Sequence, residues 1–271
     1  MADGMPTHGS TQLRSVIYGA AVGDALGVPF EFLTRDTFAC TDMTGFGTHN
    51  QPAGTWSDDT AMLLATCDSI RTCRAINVDH MRECFCDWLN NGAYTPDGVV
   101  FDVGGTTSEA LSLGQGLDGT WDNGNGSLMR IAPLALTNAD DNQIRAVSAI
   151  THAHAISTEA CVSFVHTLRH VLKEPDRARA AICDEQASTT RDEVRSGGFV
   201  LDTLQAALWC FATTASYADC VLTAVNLGSD TDTTACVAGA LAGAYYGLDA
   251  IPASWIQALR GKDVLEGCLF A

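Results

Sequence analysis

Asp230-Thr231-Asp232-Thr233-Thr234-Ala235-Cys236-Val237-Ala238-Gly239-Ala240-Leu241-Ala242-Gly243-Ala244-Tyr245-Tyr246 decides how this chain folds. From Thr233 to Tyr246 almost every residue is apolar or small, with no polar face. A helix that is apolar all round belongs at the centre of a helical core. The two carboxylates at its start, Asp230 and Asp232, sit at the mouth of that buried element. Buried charge is costly unless it is paired or metal-bound.

A second stretch calls for a close helical partner. Gly19-Ala20-Ala21-Val22-Gly23-Asp24-Ala25-Leu26-Gly27 carries glycine every fourth residue within a helical pattern from Ser15 to Leu26. Glycines on one helix face let another backbone approach closely, at about 1 kcal/mol of helix propensity each. Helical periodicity continues over 58–72, 78–89, 106–113, 141–152, 157–172, 176–185, 201–211 and 217–225, with a short helix after Ile251-Pro252. A short or kinked helix is expected over 127–136, because Pro133 interrupts it. Strand periodicity is nearly absent. The fold class is therefore all-α, read as a single domain over 1–271 with a flexible tail over 1–12. The Gly-, Asn- and Asp-rich stretches 36–56, 91–104 and 116–126 read as loops over a site.

Composition bounds the function. The chain has 271 residues, 46% hydrophobic and 17% charged, with a net charge of −17. Fifteen Lys and Arg against 32 Asp and Glu exclude a phosphate-backbone binder. No nucleic-acid or membrane partner is expected, and no segment is long enough to span a bilayer. Eleven cysteines without repeated C-x-x-C spacing argue against a disulfide framework or a zinc site, and point to a reducing, cytoplasmic setting.

Trp56-Ser57-Asp58-Asp59-Thr60 precedes another helix start. One acid suffices to cap a helix, and adjacent aspartates repel, so capping and metal binding both stand as readings. Hydroxyls and carboxylates at two helix starts are hard oxygen donors suited to a divalent cation. Gly124-Asn125-Gly126-Ser127-Leu128-Met129-Arg130 reads either as an ordinary turn or as a backbone cradle for phosphate. Asp102 reads as a loop carboxylate or as a base lining a cleft. Glu31, between Phe30 and Phe32, is a carboxylate in apolar surroundings, where pKa values rise. His152 reads as a structural histidine or a substrate contact.

Taken in order, five of these segments (19–27, 56–60, 124–130, Thr151-His152 and 226–234) resemble the ADP-ribosylglycohydrolase family. The resemblance runs from about Ser15 to Cys268. It implies an orthogonal helical bundle that binds two Mg²⁺ ions (or Mn²⁺) through Ser57, Asp58 and Asp59 on one side and Asp230, Asp232 and Thr233 on the other. It implies catalytic roles for Asp102 and Glu31, and substrate contacts from Gly124, Asn125, Gly126, Ser127 and His152. Phe199 stands where relatives often carry a substrate-facing Tyr, so the stacking surface is kept and a hydroxyl lost. The expected activity is metal-dependent hydrolysis of the bond between ADP-ribose and an acceptor, foremost arginine on a protein, by a monomer. ADP-ribosyl-serine or O-acetyl-ADP-ribose as substrate, a non-catalytic ADP-ribose-binding or structural protein, and a two-metal phosphohydrolase acting on a nucleotide are the alternatives.

Overall fold

The computed structural model describes residues 8–271. Among the described residues twelve α-helices carry the fold: α1 (His8–Gly27), α2 (Asp58–Cys73), α3 (Val78–Asn91), α4 (Gly105–Leu113), α5 (Asp141–Ser148) and α6 (Ala155–Lys173), then α7 (Pro175–Gln186), α8 (Val200–Thr213), α9 (Tyr217–Val225), α10 (Thr231–Tyr246), α11 (Ala253–Ala258) and α12 (Lys262–Cys268). The flexible tail expected over 1–12 lies partly outside the described residues; from His8 onward the chain is helical.

The central element is α10, which is buried from Thr231 to Gly243. It lies against α1, backbone to backbone. A Cβ placed on Gly19 would stand 2.3 Å from the Gly239 carbonyl oxygen, and one on Gly23 2.0 Å from that of Ala235. The stripe is reciprocal, since a Cβ on Gly243 would meet the Ser15 oxygen at 2.2 Å. Any side chain larger than hydrogen there forces the two helices apart. Tyr217 on α9 locks the pair by donating its hydroxyl to the Gly19 carbonyl at 2.7 Å.

The other helices begin and end where their sequence signals lie. Ser57 caps α2, its hydroxyl accepting from the Asp59 amide at 3.2 Å. Asn77 caps α3, and Gly92 ends it in the left-handed conformation. Asp140 and Gln143 form a capping box on α5.

Three segments differ from the sequence reading. Residues 127–136 form turns and then a 3₁₀ helix (Ala132–Leu136), not an α-helix. The amides of Ile131 and Leu134 bond to carbonyls three residues back, the tighter spacing that Pro133 tolerates. α5 stops at Ser148 instead of reaching His152, because Leu117 and His152 pair as a parallel bridge. Within the expected loop 36–56, Gly45–Phe46 (β1) and Gln51–Pro52 (β2) pair antiparallel. All eleven cysteines are free thiols. No helix among the described residues is long and apolar enough to cross a membrane.

Candidate active site

The N-termini of α2 and α10 meet. Thr233 donates its hydroxyl to Asp59 Oδ2 at 3.2 Å, across 174 residues of chain. Around this junction opens a cleft of about 340 Å³ lined by Glu31, Asp58, Asp59, Asp102, Asp230 and Thr233 on its acidic side. Gly124, Asn125, Gly126 and His152 line it too. No Lys or Arg lines it. Two larger surface grooves around residues 135–139 and 269–271 are lined by no Asp or Glu side chain among the described residues, so size does not mark the site here.

Each acid is placed by a local device. Asp24, wholly buried on α1, accepts from the Ser57 amide through both oxygens (3.0 and 3.1 Å) and from the Thr60 amide at 3.0 Å. It thereby ties the start of α2 to α1 and sets where Asp58 and Asp59 point. Burial pushes its own carboxyl up to about 6, against those hydrogen bonds. At the start of α10, Asp232 is held against α1: a Cβ on Gly27 would stand 2.3 Å from Asp232 Cα. Asp230 lies just before α10; its amide bonds to the Ser196 carbonyl at 2.9 Å, and its Oδ2 accepts from Asn125 Nδ2 at 2.8 Å. Asn125 also donates to Thr203 on α8. The loop bearing Glu31 is pinned beside Asp230 by two backbone bonds, Phe32 amide to Ser229 carbonyl (2.7 Å) and Ser229 amide to Leu33 carbonyl (2.8 Å).

The electrostatics are those of an acid cluster short of positive charge. Burial holds the carboxyls of Asp58, Asp59 and Asp232 well above their ordinary range, and neighbouring acids add to it. Burial also raises Asp230, opposed by the Asn125 and Thr233 bonds. Three carboxylate oxygens, Asp59 Oδ1, Asp230 Oδ1 and Asp232 Oδ2, are buried without a hydrogen-bond partner among the described residues. Such orphaned oxygens are rare in folded proteins and call for an explanation. Oxygens of Glu31, Asp230 and Asp232 come within 4.8 Å of one another, close enough to share one cation.

Glu31 bonds to His49, whose Nε2 is also 4.0 Å from Asp102 Oδ1. Burial raises Glu31 to about 8, and the bond to Glu31 raises His49. Asp102 adopts φ 56°, which aims its carboxylate at this pair. Phe101 and Phe32 flank the His49 ring at centroid distances of 5.2 and 6.0 Å. Neither His49 nor Asp24 was singled out in the sequence. Asp24 had a signal, a lone acid in an otherwise apolar helix; His49 lies in an unpatterned loop and had none.

The turn from Gly124 to Arg130 is shaped by what stands behind it. A Cβ on Gly126 would stand 2.8 Å from His152 Cε1, so the ring packs directly on the turn. Arg130, wholly buried, donates to the Gly126 carbonyl (2.6 Å) and Thr151 Oγ1 (2.8 Å) and stacks over the Phe85 ring at 4.5 Å. Burial lowers His152 to about 3, so it is neutral. Two details differ from the sequence reading. Ser127 does not line the cleft: its hydroxyl accepts from Ser148 at 2.9 Å and Cys161 at 3.4 Å within the core. No helix N-terminus follows Gly126 to cradle phosphate, and the Asn125 amide is already spent on the Gly198 carbonyl. Phe199, half exposed at the N-cap of α8, pairs through its backbone with Gly124; Gly198 is the residue of that segment lining the cleft.

Comparison with known proteins gives the family. The ADP-ribosylglycohydrolase family model matches residues 7–270. The ADP-ribosylarginine hydrolase Tri1 of Serratia proteamaculans is 32% identical over 280 residues, covering 92% of this chain and 75% of its own length. The ADP-ribosyl-(dinitrogen reductase) glycohydrolase of Rhodospirillum rubrum is 33% identical, covering 90% and 88%. A solved structure described as an ADP-ribosylglycohydrolase-related protein complex superposes with a TM-score of 0.81 at 31% identity, over 96% of both chains. With its all-α bundle and acidic cleft, this chain belongs to the ADP-ribosylglycohydrolase family and is a hydrolase of glycosidic bonds.

Proposed function

We infer that the protein removes ADP-ribose from arginine side chains of modified proteins, with two Mg²⁺ ions held by Ser57, Asp58, Asp59, Asp230, Asp232 and Thr233. The observation that carries this reading is the set of orphaned oxygens on Asp59, Asp230 and Asp232. They fit a hard cation by donor type, by convergence and by unmet need. Bound ions would supply positive charge for the ribose hydroxyls and the attacking oxygen. The arginine acceptor is supported by the relatives named ADP-ribosylarginine hydrolase.

The chain's own groups do the proton work. In hydrolysis the bond from the ribose anomeric carbon to the guanidinium nitrogen breaks; water gives its oxygen to the carbon and a proton to the leaving nitrogen. Asp102 is at the cleft wall to take the proton from water. Glu31, buried at the cleft and bonded to His49, is placed to pass a proton to the leaving group. Asn125 orients Asp230, and neutral His152 offers the substrate an uncharged ring beside the Gly124–Gly126 turn.

The test is product identification. An ADP-ribosylated arginine protein incubated with enzyme and Mg²⁺ should yield free ADP-ribose and intact arginine, and nothing after chelation. Release of inorganic phosphate or AMP in place of ADP-ribose would contradict the reading.

A further inference from the structure

The Trp121 loop is unused by the chemistry above. Trp121 is 95% exposed. A tryptophan left in water forgoes most of the stabilisation its large apolar surface could give. A flexible loop could at least fold it inward, but this loop is braced. The Asp122 carboxylate accepts from the Gly119 amide at 3.1 Å and from Thr106 Oγ1 on α4 at 3.2 Å. The Asp122 amide bonds to the Gly119 carbonyl at 2.9 Å, and Asn123 Nδ2 to the Thr120 carbonyl at 3.0 Å. At one end Leu117 is bonded to residues 151 and 153; at the other the Asn123 carbonyl accepts from the Val200 amide at 3.0 Å. The ring is thus presented outward on a pre-ordered support, beside Thr106 and Gly124 of the cleft wall. Exposed Phe199 and Leu201 lie on the segment paired with it.

The sequence of this loop and its flanks is acidic. Between Arg82 and Arg130 there is no Lys, Arg or His; of the acids in residues 91–129, Asp97 is paired with Arg260 at 2.9 Å and Asp102 faces the cleft, which leaves Glu109, Asp118 and Asp122. An aromatic anchor within an anionic field is complementary to a cationic polypeptide, and to arginine above all, which stacks on indole faces. We propose that the Trp121 loop docks a basic stretch of the acceptor polypeptide next to its modified arginine, so that the enzyme prefers protein-borne over free ADP-ribosyl-arginine. This rests on the arginine-acceptor reading above for its substrate but not for its surface.

Trp56, Trp88, Trp209 and Trp255 are buried, so acrylamide quenching of intrinsic fluorescence reads Trp121. An unmodified arginine-rich peptide should shield Trp121 from the quencher, and added salt should undo the shielding. A glutamate-rich peptide of equal length should not shield it. No shielding, or equal shielding by both peptides, overturns the proposal. Trp121→Ala should lower kcat/KM about tenfold on an ADP-ribosylated arginine-rich polypeptide, the scale of an interface anchor, and leave free ADP-ribosyl-arginine unchanged. Equal loss on both substrates would mean that Trp121 holds ADP-ribose itself, and overturns it too. If the wild-type enzyme cleaves neither substrate, the arginine reading fails while the quenching result still decides the docking surface.

Discussion

Gly27→Ala and Gly19→Ala together separate the structural from the functional work of the α1–α10 contact. At Gly27 the new methyl would stand 2.3 Å from Asp232 Cα; at Gly19 it would stand 2.3 Å from the Gly239 oxygen. Ordinary contact begins near 3.4 Å, so in both variants the helices must part by about 1 Å. Overpacking of this kind costs about 1–3 kcal/mol, offset by up to about 1 kcal/mol of helix propensity gained with alanine. Each variant should therefore lose about 1–2 kcal/mol in urea unfolding. Their effects on ion binding should diverge. The eight-residue step from Gly27 puts Gly19 about 12 Å along the helix from the site. Gly27 touches the backbone of Asp232 itself. Metal–ligand distances tolerate only about 0.2 Å, so Gly27→Ala should weaken Mg²⁺ binding by about 10–100-fold, the range for disturbed support of a metal site. Gly19→Ala should leave it within about twofold at matched folding. Calorimetric titration with Mg²⁺ reads this directly. Equal ion affinity in both variants, or Gly27→Ala as stable and as tightly binding as the wild type, would refute the reasoning.

Three further outcomes follow. A histidine whose folded pKa lies below its unfolded value costs stability as pH falls, because the unfolded chain takes up the proton first. His152 lies at about 3 in the fold against 6.5 free, so between pH 7 and 5 it should account for about 2 kcal/mol of lost stability; in His152→Gln that part of the slope should vanish from urea melts. Arg130→Met removes the donors to the Gly126 carbonyl and Thr151; loss of at least about 2 kcal/mol is expected, with a higher KM as the Gly124–Gly126 turn loosens. Asp102→Asn should cut kcat by about 10²–10⁴-fold while calorimetric Mg²⁺ binding persists; loss of both together would make Asp102 a ligand.

The sequence was most legible where one helix face had to satisfy one strict condition. The α10 run could be placed at the centre because it has no polar side to expose, and the Gly19, Gly23 and Gly27 spacing announced a close partner. What it could not announce was which backbone would be that partner. The meeting of Asp59 with Thr233 is a tertiary fact, invisible to any local pattern; family resemblance, not periodicity, implied it. Short elements escaped for a related reason. α12 has seven residues and the β1–β2 strands two each, too few for a period to emerge. The Ser127 side chain turns away from the cleft because the turn faces two ways: Gly126 and Asn125 border the cleft, and the Ser127 hydroxyl bonds to Ser148 of α5 and Cys161 of α6. Asp24 shows the opposite lesson. Its buried carboxylate bonded to the Ser57 and Thr60 amides was written in the sequence as an acid that no apolar helix should tolerate.

The most direct test is a crystal structure of the protein loaded with Mn²⁺, read from anomalous difference density. Peaks between Asp58 and Asp59 on one side and Asp230 and Asp232 on the other, within about 2.0–2.3 Å of the orphaned oxygens, are the predicted result. Crystals that hydrolyse substrate yet show no density between these carboxylates would contradict the account.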